Sequence, residues 1–419
     1  MKLNTLLALL LAVPMAAKAV EFNWSGFGTA GYAISDNANR YQRFITDRGT
    51  FNRDSVFGGQ LDVKLSPQFG ATIQARLAPA ADSDSRWEPS LAWAFLSWRP
   101  LDDFLLRAGK LRVPLMLNTE NQDVGATYPF VRLPVEVYST APTTDIWGVM
   151  FSKSWWRADW EWGLDGYYGK INYFQRLHVR DMPPQGGSAT WYDPTRLEGG
   201  GLVLSLRADE DVYRIGYHRI ETRRRQGGII SDLAFTPLPS PPYQPGEGLY
   251  DVSSSPQVDA TVSQLLTLGA SVALPEGFQL TAEYARLLSP DAVNGWNRWS
   301  AYAALAKRIG RWTPYGYYAQ MQSAGNVLRR YRAVENNNVS IPAPGMAASQ
   351  HLAADYLIAH DQSTWAVGTA YQLTPRSLLK AEWSQTHTGI VSSFIDAPSG
   401  GSSANQRIDV FSVSYSFTF

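Results

Sequence analysis

Residues 113–145 combine acidic and basic side chains with several prolines, which restrict the backbone without helical order. Carboxylates and guanidiniums that face each other across water create an electric field that orients polar solutes, so their chemistry is electrostatic rather than nucleophilic. The candidate residues are Arg76, Arg107 and Arg112 before this stretch or at its edge, and Glu120, Asp123, Arg132, Glu136 and Asp145 within it. The alternative interpretation is a solvated surface loop.

A second charged group is a cluster of arginines in the middle of the chain. Its members are Arg219, Arg223, Arg224 and Arg225. Three interpretations remain open. The cluster forms an anion-attracting vestibule, it contacts lipopolysaccharide phosphates, because arginine pairs well with phosphate, or it is a solvated loop. The same question applies to Arg329, Arg330 and Arg332.

Residues that could support enzymatic chemistry form no established pattern. The histidines are His178, His218, His351, His360 and His387, and none belongs to a zinc-protease motif, a nucleophile elbow or a phosphate loop. His351 and His360, with Asp355 and Asp361, match no common metal-ligand spacing. The absence of cysteine excludes thiol catalysis. We predict no enzyme, no catalytic residue, no metal site and no cofactor.

Composition and the N-terminus point to an exported, unusual chain. Of the 419 residues, 18% are charged, against about 25% in soluble proteins. The 37 basic and 37 acidic residues balance, which disfavours a nucleic-acid partner. Lys2, a short apolar run over 6–13 and Ala17-Lys18-Ala19 form a secretory signal. We predict a signal peptide over 1–19 and a single domain over 20–419.

Apolar and polar residues alternate along the whole chain, as they do in strands with two different faces. At the C-terminus, for example, Phe411, Val413 and Tyr415 alternate with Ser412 and Ser414. Sixteen strand segments can be read in this way, over 22–34, 55–65, 70–78, 91–99, 104–112, 146–153, 159–169, 200–207, 212–219, 259–274, 278–287, 296–306, 312–321, 363–373, 378–385 and 408–419.

The connections between these segments are sorted by length. Every second connection is short, and most of the others are long and polar, at 35–54, 113–145, 170–199, 220–258, 322–362 and 386–407. A soluble sandwich has no reason to sort its loops, whereas a membrane barrel does. The sequence therefore predicts an all-β fold, a 16-stranded antiparallel transmembrane β-barrel with short periplasmic turns and long extracellular loops.

Three segments resemble known outer-membrane proteins. The ending Val413–Phe419 resembles the last strand of Gram-negative outer-membrane proteins, with a terminal phenylalanine and alternating aromatics. Leu106–Pro114 and Tyr128–Tyr138 resemble porins, the former those of the broad phosphate-selective-porin-like group. The resemblance implies location in the outer membrane, contact with its lipid and lipopolysaccharide, recognition of Phe419 by the barrel-assembly machinery, and a homotrimer. Phosphate selectivity is not transferred, because no dense lysine set is evident.

In porins of this size the loop after the fifth strand folds into the lumen, and the resemblance assigns that role to 113–145. The charged residues listed first would then line a pore constriction. We therefore predict a porin, a water-filled channel for passive diffusion of small hydrophilic solutes or ions, with the solute and the ion preference left open. The alternatives are a plugged barrel that acts as an adhesin or receptor, and a barrel enzyme that acts on lipid.

Overall fold

The computed structural model describes residues 20–183, 187–290 and 296–419. The predicted signal peptide over 1–19 therefore lies outside the described residues. In the part of the chain that is described, no helix is long and apolar enough to cross a membrane.

Sixteen antiparallel strands form one closed barrel, in which neighbours in sequence are neighbours in space. The strands are β1 (Glu21–Ser35), β2 (Val56–Lys64), β3 (Phe69–Pro79), β4 (Trp87–Leu101), β5 (Phe104–Arg112), β6 (Asp145–Arg157), β7 (Trp160–Val179), β8 (Ala189–Ala208), β9 (Asp211–Arg224), β10 (Thr261–Leu274), β11 (Phe278–Leu288), β12 (Arg298–Lys307), β13 (Trp312–Ser323), β14 (His360–Thr374), β15 (Ser377–Ser392) and β16 (Arg407–Thr418). Each of them overlaps one predicted segment, so the predicted fold class is confirmed.

Closure joins the two ends of the chain. Strand β1 pairs with β16 from Phe27 opposite Thr418 to Ser35 opposite Val410. The backbone N–H of Phe419 also donates to the carbonyl of Gly26 at 3.0 Å. An open edge in lipid would leave backbone donors and acceptors without any partner, which is why a membrane sheet must close on itself.

The outside of the barrel is apolar. Trp147, Val149, Trp365 and Val367 point outward and are at least half exposed on the isolated chain. The residues that alternate with outward apolar side chains are buried, and many of them are polar, such as Thr364 beside Trp365. This exchange of faces, with apolar residues outside and polar residues inside, is the arrangement of a transmembrane barrel.

Connections at one end of the barrel are tight turns, over 65–68, 102–103, 158–159, 209–210, 275–277, 308–311 and 375–376. The opposite end carries the remaining connections, over 36–55, 80–86, 113–144, 225–260, 324–359 and 393–406, together with the described residues 180–183, 187–188, 289–290 and 296–297. This loop end also holds the helices α2 (Gly325–Glu335) and α3 (Met346–Asp355), and paired short strands at Arg40–Tyr41 with Ile395–Asp396, Ile229–Ile230 with Gln257–Val258, and Ala234–Pro237 with Gly248–Asp251.

The prediction of a loop over 170–199 was wrong. Strands β7 and β8 are 20 residues long and remain paired up to Val179 opposite Ala189. A tilted strand needs only about 9–11 residues to cross a bilayer, so this hairpin continues beyond the apolar belt. One face of its tip packs against other connections, with Leu177 and Val179 buried and His178 3.0 Å from the carbonyl of Ala397.

Candidate constriction and its two chambers

The segment between β5 and β6 lies inside the barrel and is held by buried polar groups of the wall. Lys380 on β15 donates to the carbonyls of Gly125 and Phe130 at 2.6 and 2.8 Å. Arg132 forms two hydrogen bonds to Asp54, at 2.7 and 2.5 Å, and one to Ser412 on β16 at 3.2 Å. These contacts fix the middle of the segment, which contains the short helix Gly125–Thr127, near the β1–β16 junction.

The same segment is anchored to strands further round the barrel. The Glu283 carboxylate on β11 accepts hydrogen bonds from the backbone N–H of Leu117 at 2.7 Å and from the hydroxyl of Tyr138 at 2.6 Å. A third bond comes from Tyr302 on β12 at 2.8 Å. Because one segment contacts β11, β12, β15 and β16, it lies across the interior and reduces the free cross-section.

Helix α1 (Val135–Tyr138) turns the segment back towards β6. Its Glu136 is buried and accepts hydrogen bonds from Gln362 at 2.7 Å and Thr364 at 2.6 Å, both on β14. Burial raises the pKa of Glu136, although the hydrogen bond from Thr364 opposes this effect. Phe130 adds an apolar contact between the segment and the wall. Its ring packs edge-on against the ring of Tyr315, with 5.0 Å between the two ring centroids.

Four of the charged residues singled out in the sequence form one cluster at the wall. Asp123 accepts hydrogen bonds from Arg76 and Arg112, both at 2.8 Å. Arg112 also contacts Asp145 at 3.1 Å. Burial alone would raise the pKa of Asp123, but the two guanidiniums outweigh it and lower that pKa. These charges neutralise one another by direct contact rather than facing each other across open water.

The other four singled-out residues lie apart from this cluster. Arg107 contacts Ser152 at 3.1 Å, and Arg132 pairs with Asp54 as described. Glu136 is bound to β14, while Glu120 makes no hydrogen bond or ion pair with any of the described residues. The predicted constriction residues therefore form three groups. Four belong to the wall cluster, and Arg132 and Glu136 each anchor the inward segment separately. Arg107 and Glu120 form no ion pair with any described residue.

Two cavities border the inward segment. The first, which we call the arginine chamber, has a volume of about 430 Å³ and is lined by Arg43, Arg53, Arg176 and Arg298 among others. The second, the mid-barrel chamber, has a volume of about 360 Å³ and extends to Thr29 in the middle of β1.

The residues that line both cavities form a neck between them. On one side are Arg43, Phe44 and Arg53, from the connection between β1 and β2, and on the other are Val135 and Ser139, from the inward segment. The two chambers therefore adjoin each other at these five residues. Sequence reasoning missed Arg43, Arg53 and Arg298, because nothing local distinguishes them from the other arginines of the chain.

Ion pairs link several connections of the loop end beside the arginine chamber, and we call this side of the chamber its mouth. Asp84, in the connection between β3 and β4, contacts Arg43 at 2.5 Å and Arg176 of the β7–β8 hairpin at 3.0 Å. Arg176 also contacts Asp396 at 2.5 Å. Burial would raise the pKa of Asp84, but the hydrogen bonds from Arg176, Arg43 and Tyr192 outweigh it and lower that pKa to about 2.

The predicted basic vestibule cluster is divided between the two faces of β9. Arg219 and Arg223 alternate with buried Ile220 and Thr222 and share the outward face with exposed Tyr217, so they lie on the outer wall rather than in the lumen. Arg223 contacts Glu221 there at 2.6 Å.

The remaining two arginines of that cluster occupy other surroundings. Arg224 has the opposite orientation and contacts Asp193 at 3.1 Å, and Arg225 is exposed in the connection that follows β9. In the second basic group, Arg330 contacts Asp232 at 2.6 Å.

The histidines are separate from one another, and most of their side chains make polar contacts with the protein. His218 is buried and lies 2.8 Å from the hydroxyl of Tyr167. His351 lies 2.5 Å from Asp181. Within the described ranges, no group of three or more histidine, cysteine or carboxylate side chains is placed to hold a metal ion.

Neither a protein-family model nor a curated protein matches the sequence. Solved structures do match the fold. OmpT of Vibrio cholerae in its trimer form aligns with a TM-score of 0.51 at 9% identity, over 96% of this chain and 100% of that chain. OmpF of Salmonella typhi, in complex with daunomycin, gives 0.51 at 10% identity, over 95% and 97%. An anion-selective porin from Comamonas acidovorans gives 0.51 at 11% identity, over 96% and 100%. At such low identity the likeness concerns architecture, and the chain has the barrel fold of outer-membrane porins.

Proposed function

We propose that the protein is an outer-membrane porin, through which small hydrophilic solutes and ions diffuse passively. The observation that carries this proposal is the inward segment 113–144, which lies across the lumen and is bordered by two chambers that adjoin at the neck. Sixteen strands enclose a lumen wide enough for water, and whatever narrows that lumen sets its selectivity.

Location in the outer membrane follows from the same features. The apolar outer wall requires lipid, because exposed apolar area on this scale is unfavourable in water. The signal peptide predicted over 1–19 supplies export, and the exposed terminal Phe419 is available to the barrel-assembly machinery. We further propose contacts with outer-membrane lipid and lipopolysaccharide, and a homotrimer, for which the trimer form of the Vibrio cholerae neighbour is the support. The proposal includes no catalytic step, no cofactor and no phosphate selectivity.

Osmotic swelling of proteoliposomes tests the channel directly. We expect liposomes that contain the purified protein to swell in a small sugar such as arabinose and not in a tetrasaccharide, because the neck excludes the larger molecule. Liposomes that contain heat-unfolded protein serve as the control. Absence of swelling in every sugar would contradict the porin proposal and support a plugged barrel with a receptor or adhesive role.

A further inference from the structure

The arginine chamber has an excess of positive charge, because the nearby carboxylates neutralise only some of its arginines. Its charged lining consists of Arg43, Arg53, Arg176 and Arg298, and no aspartate or glutamate of the described chain lines it. Asp84 and Asp396 lie behind the lining and are shared among Arg40, Arg43 and Arg176. Those two carboxylates therefore neutralise at most Arg40, Arg43 and Arg176, and they leave the charges of Arg53 and Arg298 uncompensated.

Arg53 and Arg298 have no carboxylate partner among the described residues, within the 4.0 Å that defines an ion pair. The Arg53 side chain donates only to the amide oxygen of Gln42, at 3.1 Å. Burial, and then the nearby Arg132, lower the pKa of Arg53 to about 10, so it remains a cation at neutral pH. Arg298 donates to the carbonyls of Ser139 and Thr140 at 3.3 and 3.0 Å.

Two buried nitrogen atoms at this wall lack any partner in the described protein. They are the Nε of Arg298 and the Nδ1 of His360, whose residues are 8% and 4% exposed. Buried polar groups are nearly always hydrogen-bonded, by protein, water or ligand. A buried guanidinium without a carboxylate is costly, and a bound anion would reduce that cost.

Part of the chamber wall is aromatic and apolar, beside polar side chains such as Gln42 and Gln175. Phe44, Trp296 and Phe394 line it together with aliphatic side chains, and the Phe394 ring lies 4.6 Å from the ring of His360. The volume of about 430 Å³ falls in the range of about 300–1,000 Å³ that is typical of small-molecule sites. An inorganic ion would leave these rings in water, whereas an organic anion would cover them.

We propose that the arginine chamber is a binding site for small organic anions, with a carboxylate held at its lining guanidiniums, of which Arg53 and Arg298 have no carboxylate partner among the described residues, and with an apolar or aromatic body against the surrounding rings. This inference rests on the proposed channel function and names the solute class that the neck favours. Because Arg53 also lines the mid-barrel chamber, an anion released from the first chamber meets the same guanidinium on its way to the second.

Channel block in planar bilayers tests the site with three probes. Benzoate and benzylammonium carry the same ring with opposite charges, so they test the role of charge. Benzoate and acetate carry the same charge with and without a ring, so they test the role of the ring. In a KCl gradient we expect the reversal potential to show preference for chloride. Benzoate should lower the KCl conductance at millimolar concentration and benzylammonium should not. Acetate should need about tenfold more, since burial of an aromatic ring contributes on this order.

Variants assign the site to its arginines. We expect Arg53→Gln to raise the half-blocking benzoate concentration by about tenfold or more, because a hydrogen bond to a charged group is lost. Arg298→Gln should act in the same direction, but Arg298 also holds the inward segment, so Arg53→Gln carries the test independently. Arg219→Gln, which removes an equal charge from the outer wall, is the matched control and should leave the block unchanged.

The possible failures are distinguishable. A channel that conducts but is blocked equally by benzoate and benzylammonium, or that is indifferent to Arg53→Gln, overturns the anion site and leaves the porin proposal intact. Equal block by acetate and benzoate overturns the role of the rings. If the protein does not conduct, calorimetric titration of benzoate into detergent-solubilised protein still decides: Arg53-dependent binding supports the site without the channel, and no binding overturns it.

Discussion

The lumenal arginines and the outer-wall arginines have the same chemistry and opposite surroundings. Arg53 and Arg298 line a chamber and lack carboxylates among the described residues, whereas Arg223 is exposed on the outside and contacts Glu221. An exposed ion pair contributes at most about 1 kcal/mol. A charge in a confined lumen is screened less and acts on whatever passes. The comparison teaches that the face of the barrel, rather than the density of arginine in the sequence, decides which cations control the channel.

The largest effect is expected from removing the inward segment. Deletion of 118–140 should increase single-channel conductance several-fold, because the segment lies across the lumen and borders both chambers. Deletion of the exposed tip 239–246 in the connection between β9 and β10 is the control and should leave conductance close to that of the wild type. Unchanged conductance after the first deletion would show that 113–145 forms no constriction.

The next largest effect concerns stability and contrasts a buried pair with an exposed one. Arg132 and Asp54 are 8% and 3% exposed and lie 2.5 Å apart at their closest. Arg132→Met should destabilise the protein by about 3–5 kcal/mol, because Asp54 is left buried without a partner. Arg223→Gln on the outer wall should cost less than about 1 kcal/mol.

Urea unfolding in detergent or lipid, followed by the shift in electrophoretic mobility of the folded barrel, measures both variants. The double variant Asp54→Leu with Arg132→Met should recover much of the lost stability, since no unpaired charge remains. Equal loss in the single and double variants would show that the pair is not the reason for the destabilisation.

A smaller effect is expected at the mouth as the pH falls. The pKa of Asp84 is lowered from 3.8 to about 2 in the folded protein, so its contribution to stability is complete above pH 4 and disappears as the pH falls from 4 to 2. Hydrogen exchange in the hairpin tip that carries Arg176 should accelerate over that range. Asp84→Asn should show the fast exchange already at neutral pH, and equal exchange in both proteins at pH 7 would contradict a role of the Asp84 ion pairs in holding the hairpin tip.

The smallest effect is predicted for the outer wall. Arg219→Gln and Arg223→Gln together should leave the reversal potential in a salt gradient unchanged, because both side chains point away from the lumen. A shift comparable to that of Arg53→Gln would contradict the distinction between the two groups of arginines and restore the vestibule interpretation.

The position of Arg219 could have been predicted from the sequence. It follows Ile215 and Tyr217 at intervals of two residues, and both of these face outward. The alternation that identified β9 therefore also specified the face of each arginine on it. The extent of β7 and β8 was less predictable, because beyond the membrane the hairpin packs against other connections through buried side chains such as Leu177 and Val179, and lipid no longer marks its length.

The roles of Arg53 and Arg298 could not have been predicted in this way. Arg298 contacts Ser139 and Thr140, more than 150 positions away in the chain, and its importance depends on a partner that the described chain does not supply. By contrast, Arg112 and Asp123 are close in sequence, and their grouping as constriction candidates anticipated a real contact.

The amino-acid sequence by itself determined the sixteen strands, their order and the exchange of apolar and polar faces. The side chains of a strand alternate between its two faces, and contact with lipid favours an apolar side chain at every second position. Only the tertiary structure decided which charges are neutralised, which guanidiniums remain open to a solute and where the lumen narrows. Those outcomes depend on distances between side chains that barrel closure and the inward segment bring together from distant parts of the chain.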